Sequence, residues 1–231
     1  MKQGFISILP LAAGAAAYGF VFGVVAAQLD FPWWGVALMS ASVHAGSSQI
    51  VAVEQFASEG FVIGAVLAGL ALNMRYLGII ASLNSVLKDV PLFQRLLAIH
   101  ITSDENWALT FAKKAKDPTV GASFLIGSGL TMFVTWIIST TSGALLGQSI
   151  PNLIEYGLGF AFTAAFIAMA RAMWRNKQDT LPWIITFIVT VVLIHLSLGS
   201  AFAIIAGSIA GVITTGLTQQ ITKKVKRLQY D

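Results

Sequence analysis

The chain has 231 residues, 56% of them hydrophobic and 10% charged, with a mean hydropathy of +0.79 and no cysteine. Soluble domains carry about 25% charged residues, so this chain cannot cover a water-exposed globule with polar surface, which excludes a soluble enzyme, a disordered chain and a disulfide scaffold. The missing cysteines also exclude thiol catalysis, cysteine-based zinc sites and iron–sulfur clusters, and the net charge of +4 sits between long apolar runs, where it reads as membrane topology rather than nucleic-acid binding.

The expected fold is all-α, a polytopic transmembrane helix bundle forming one integral membrane domain over residues 1–231. A crossing helix needs about 20 mostly apolar residues. Seven stretches qualify: 8–28, 35–57, 61–82, 121–147, 153–172, 182–199 and 201–218. The first exceeds the apolar core of a signal peptide and is preceded only by Lys2, so it is expected to stay as a span. Its Pro10, Gly14, Gly19 and Gly23, with Tyr18, Phe20 and Phe22, suit either close helix packing or a kinked helix lining a site.

The second stretch carries Ala41-Ser42-Val43-His44-Ala45-Gly46-Ser47-Ser48-Gln49. Small residues alone would indicate tight packing. His44, Gly46, Ser47, Ser48 and Gln49 together exceed that need. A break at Gly46 would expose the amides of a half-helix, whose positive end can hold a carboxylate. Glu54 and Gln55, later in the same stretch, read as an interface mark. In the third stretch Asn73-Met74-Arg75-Tyr76 places a guanidinium inside an apolar run. Either Arg75 snorkels to the surface, or it pairs with a carboxylate of the protein or of a substrate.

Residues 83–120 hold Lys88, Arg95, Lys113, Lys114 and Lys116 and read as a cytoplasmic amphipathic connection. Pro91 suits a first helical turn there, and Thr102-Ser103-Asp104-Glu105 reads as a capping box pairing Thr102 with Glu105. Asp104 and Glu105 would then stand at an inner mouth. Farther on, Thr135, Ser139, Thr140, Thr141 and Ser142, with Glu155 and His195, are weak signals, since such hydroxyls bond within their own helix. Gly207 and Gly211 favour close packing of the last stretch. Residues 219–231 form a basic tail.

Lysine and arginine are retained on the cytoplasmic side. With seven spans, the clusters at 83–120, 171–181 and 219–231 share that side and Lys2 lies opposite, giving an outside N-terminus and a cytoplasmic C-terminus. Aligning the first two spans with the fourth and fifth at an offset of about 120 puts Gly23 on Gly143, Gln28 on Gln148 and Pro32 near Pro151. Units of three spans would be inverted repeats; the abundance of glycine and alanine explains the same match by chance.

Dinucleotide, nucleotide, zinc-protease and hydrolase motifs are absent, and His44, His100 and His195 show no metal spacing. The chain therefore reads as a non-enzyme without cofactor or metal. Taken together, the run at 44–49, the element at 73–76 and Thr102 to Glu105 resemble the AzlC family, the large subunits of branched-chain amino-acid exporters. Here His44 stands where the family commonly has an aromatic, Asn73 where Asp is common, and Ser103 between the threonine and the acidic pair.

The resemblance implies a cell-membrane exporter of Val, Leu, Ile or Met, working with a small AzlD-type membrane subunit. The substrate-binding candidates are His44, Gly46, Ser47, Ser48, Gln49, Asn73, Arg75, Asp104 and Glu105, with Phe20, Phe22 and Met74 toward the aliphatic part. Coupling would be to protons, with His44 as carrier. A channel or a transporter of another small solute is the alternative.

Overall fold

The computed structural model describes residues 1–59, 62–150, 167, 171, 174, 176–198 and 200–228. It is helical throughout these residues: α1 (Lys2–Gln28), α2 (Trp33–Ser42), α3 (Gly46–Glu59), α4 (Val62–Asn73), α5 (Arg75–Leu87), α6 (Leu92–His100), α7 (Asp104–Lys114), α8 (Ala122–Leu146), α9 (Thr180–His195) and α10 (Ser200–Leu228). Among the described residues four stretches are long and apolar enough to cross a membrane: Lys2–Gln28, Ala122–Ser149, Lys177–His195 and Phe202–Gln220. Leu38, Leu70, Ile138 and Phe187 lie exposed on the outside, as a lipid-facing surface requires. The expected span 153–172 falls largely outside the described residues.

Helices α1 and α8 form the spine. They run parallel, with Gly4 against Phe124, Gly23 against Gly143, and Gly147 against Val24 and Ala27. A Cβ on Gly23 would strike the Thr140 carbonyl, and one on Gly143 the Phe20 carbonyl, so glycine is what allows this approach. The match at an offset of about 120 is thus a pair of parallel helices touching in register. The expected inverted relation between these two stretches does not hold, because inverted partners would run antiparallel.

The direction of the shorter helices follows from what they touch. At the C-terminal end of the spine Val36 of α2 joins Ala26 and Ala144 in one core cluster. Farther along α2, Ser40 meets Thr140 at 2.9 Å. The chain then reverses. In α3, Gln49 accepts from Trp136 Nε1 at 2.9 Å, Ile50 and Val53 rejoin the same cluster, and the Phe56 ring meets Phe31 edge-on at 5.7 Å. With 10 and 14 residues, these helices reach about 15 and 21 Å, short of the ~30 Å hydrocarbon. The expected second span, 35–57, is therefore a helical hairpin that enters from one end and leaves by the same end.

Helices α4 and α5 carry the chain across. Met74 between them keeps helical angles, φ −55 and ψ −26, so the interruption is a local fault in one broken span. Leu83 and Leu87 of α5 reach the N-terminal end of the spine, where they pack with Leu125.

From there α6 and α7 form a second hairpin of opposite direction. Arg95 donates to Leu87 O and Lys88 O at its base. His100 at its inner end lies 2.9 Å from Ala41 O, and Lys114 returns to donate to Val120 O. Outside the helices, Asp117 accepts from the Thr119 hydroxyl and amide, which holds its carboxyl below the usual range.

Two expectations change here. Residues 83–120 are not a surface connection: Ala98, Ile101, Asn106 and Thr110 are buried within the bundle. Leu92, Leu96 and Leu97, which with Ile99 give α6 its apolar side in the sequence, are exposed. Lys2 also does not lie opposite the basic cluster, since Met1 abuts Gly127 near the start of α8, beside the ends of α5 and α7. Helices α9 and α10 pack on each other, with Gly207 against Thr190 and Gly211 against Thr186, and α10 also lies along α4.

Candidate functional site

Three helix starts converge midway along the spine: Gly46 of α3, Arg75 of α5 and Asp104 of α7. The first hairpin reverses at His44, whose φ of 45 is left-handed. Histidine is one of the few side chains tolerated there. Gly46 follows because a Cβ would lie 2.8 Å from Trp136 and 3.1 Å from Tyr18. The first helical bond of α3 runs from Gln49 N to Ala45 O, so the amides of Gly46, Ser47 and Ser48 precede it. These are the orphan donors of a helix start.

The second hairpin turns at Ile101 to Ser103. Its capping box pairs Ser103 with Asn106, with Asn106 Oδ1 accepting from Ser103 N at 2.6 Å. The expected pairing of Thr102 with Glu105 is displaced by one residue, because the Thr102 hydroxyl donates to Ala98 O at 2.6 Å and closes α6 instead. Asp104, the first residue of α7, takes no part in the box and meets Arg75.

The guanidinium of Arg75 meets the Asp104 carboxylate at 3.0 Å and donates to Ser47 Oγ at 3.2 Å. It also lies 5.5 Å from the centre of the Tyr76 ring. Its Nε is buried without a partner among the described residues. Both side chains of the ion pair are partly exposed, at 28% and 29%, and they face a cavity of about 330 Å³. Pro10, Gly14 and Tyr18 of α1 form the opposite wall. Gly14 leaves it open, since a Cβ there would meet nothing within 4 Å.

Of the residues expected at the site, His44, Gly46, Ser47, Arg75, Asp104 and Glu105 line this cavity. Asp104 and Glu105 belong to its wall rather than to a cytoplasmic mouth. Ser48, Gln49 and Asn73 do not border it. Ser48 donates to Asn73 at 2.8 Å and staples α3 to α4. Gln49 links Ser40 and Trp136, holding the first hairpin to α8.

The apolar contacts expected from Phe20, Phe22 and Met74 are also absent. Phe22 stacks on Trp136 in the core, Met74 borders a separate cavity toward α10, and Phe20 does not line the site cavity. Glu54 is exposed on α3 and His195 is exposed at the end of α9; Glu155 lies outside the described residues. Tyr76 and Ser103, which sequence reasoning did not select, do line it. Their signal was adjacency to Arg75 and Asp104. Among the described residues no three His, Asp or Glu gather as a metal site would need.

A cation, two carboxylates and the amides of Gly46 and Ser47 thus gather around one small hollow. Its volume lies at the small end of the range for ligand pockets, about 300–1,000 Å³.

A family model described as AzlC protein matches residues 10–150. The match ends where the spine ends. Two Helicobacter pylori proteins, each described as an uncharacterized membrane protein, are similar to the chain. The one from strain J99 is 25% identical over 184 residues, covering 79% of this chain and 80% of its own length. The one from strain 26695 is 23% identical over 178 residues, covering 77% of each. No solved structure matches. The chain belongs to the AzlC family.

Proposed function

From this membership, we propose that the chain is the substrate-carrying subunit of a secondary transporter that exports branched-chain amino acids, Val, Leu, Ile and also Met, with proton coupling. The observation that carries the reading is the Arg75–Asp104 ion pair lying across a cavity at three helix starts. A zwitterion can replace that pair without net change of charge. Its carboxylate takes Arg75 and the amides of Gly46 and Ser47, where the positive helix end adds to the attraction. Its ammonium takes Asp104 or Glu105. The small AzlD-type membrane subunit comes from the family resemblance.

We also propose that the end bearing the starts of α1 and α8 faces the cytoplasm. Lys2, Lys88, Lys113, Lys114 and Lys116 gather there, whereas the sequence has no lysine or arginine between Lys2 and Arg75 or between Lys116 and Arg171. The connections at the opposite end lie in those stretches. The positive-inside tendency then puts the N-terminus in the cytoplasm, the reverse of the orientation expected from seven spans.

Leucine counterflow in proteoliposomes tests the transport reading, run with and without a small membrane partner. Saturable, stereoselective exchange is expected. Unsaturable flux of both enantiomers would indicate a pore, and no flux with any amino acid would sink the reading.

A further inference from the structure

A second cavity, of about 220 Å³, lies on the other side of the first hairpin's tip, between Ile80, Ile99 and His100. His44 and Tyr76 border both this space and the site cavity, so they form the wall between the two. His44 is only 6% exposed, and its Nδ1 has no hydrogen-bond partner among the described residues. An imidazole left short of a partner at this depth is costly. A phenyl ring would fill the space without that cost.

The ring meets Phe133 edge-on at 5.1 Å, and the His100 ring meets the same Phe133 at 5.5 Å. His100 Nε2 donates to Ala41 O. The ionisable groups around His44 are Tyr18 from α1, Arg75 and Tyr76 from α5, His100 from α6, and Asp104 and Glu105 from α7. Helix α8 has no titratable side chain.

We propose that His44 carries the coupling proton between the two cavities, taking it from the side of His100 and releasing it on the side of Arg75 and Asp104. The inference rests on the transporter reading and adds to it a route through a second cavity. A charge on the His44 ring acts on the groups that hold the substrate, so protonation and occupancy shift one another's equilibria. The step moves one proton, and nothing is oxidised or reduced.

The test uses the purified full chain in proteoliposomes, with and without the small membrane partner, under an imposed pH difference of one unit. One proton per leucine gives an accumulation of about tenfold at steady state, since one pH unit equals one decade in an equilibrium. His44→Asn suits the position, because asparagine accepts a left-handed backbone. Its accumulation ratio is expected to fall to about one; a slower carrier would merely reach the full ratio later. Ile80→Phe plugs the smaller cavity without touching the site. It should leave leucine counterflow at equal pH unchanged and lower the proton-driven initial rate several-fold.

Full accumulation by His44→Asn, or an unchanged proton-driven rate in Ile80→Phe, overturns the proposal. If His44→Asn is inactive, the Ile80 variant decides. Wild-type counterflow without any response to pH defeats this inference alone, whereas absent wild-type counterflow defeats the transporter reading itself.

Discussion

Arg75 and Asp104 each stand at the first position of a helix, and their side chains meet at 3.0 Å. The start of α7 favours the carboxylate. Removing one partner of a buried ion pair costs about 3–5 kcal/mol; with both groups partly exposed, the lower end applies here. Arg75→Ala is expected to reduce leucine counterflow by about a hundredfold, the equivalent of roughly 3 kcal/mol. Arg75→Lys keeps the charge but loses the planar fork, so it should retain part of the flux. Normal flux in Arg75→Ala would remove the residue from the site.

Gly46→Leu drives a side chain into Trp136 and Tyr18. It is expected to insert into the membrane at normal levels and to lose transport, as read by membrane abundance alongside counterflow. Normal exchange by this variant would show that the tip of the first hairpin does not shape the cavity.

Gly23→Leu separates α1 from α8, because its Cβ would occupy the place of the Thr140 carbonyl. Overpacking of this kind costs about 1–3 kcal/mol or more. Insertion should be unaffected, since leucine is apolar, while the midpoint of thermal unfolding in detergent falls and transport declines. An unchanged midpoint would mean that the spine is not held by this approach.

Gln49→Leu leaves Trp136 Nε1 without its buried acceptor and removes a donor from Ser40. Each stranded group costs about 1–3 kcal/mol. The variant is expected to be less stable in detergent yet to bind leucine with unchanged affinity where it remains folded. A loss of affinity at full stability would return Gln49 to the substrate site.

The absence of native cysteine makes orientation directly measurable. Single cysteines at Lys2 and Lys116 should react with an impermeant maleimide only from the cytoplasmic face, and one at Asp30 only from outside. Opposite labelling of Lys2 and Lys116 would contradict the arrangement of the spine.

Much of this architecture could be read from the residues, and the part that could not has a physical cause. Composition alone required helices, and the long apolar runs at 8–28 and 121–147 correspond to α1 and α8. The polar run from His44 to Gln49 marked the interruption before α3, because a bilayer tolerates such residues only where they find partners. Direction was not legible. Two short helices joined by a break have the same hydropathy whether they continue across or turn back, so 35–57 looked like a span. Residues 83–120 mislead for the opposite reason: Lys88, Arg95, Lys113, Lys114 and Lys116 suggest a wet surface, yet Asn106 and Thr110 between them are buried and bonded, Asn106 to Leu125 O and Thr110 to Asn106 O. The match of Gly23 with Gly143 marks a packing contact between two parallel helices.

The opposed hairpins also set an order of manufacture. Arg75 leaves the ribosome before Asp104 exists, and α8, which closes the spine, comes later still. During that interval an uncompensated guanidinium waits at a depth where insertion scales charge roughly 2.5–3.5 kcal/mol for it. Nascent chains stalled before Asp104 are thus the ones that membrane proteases should find.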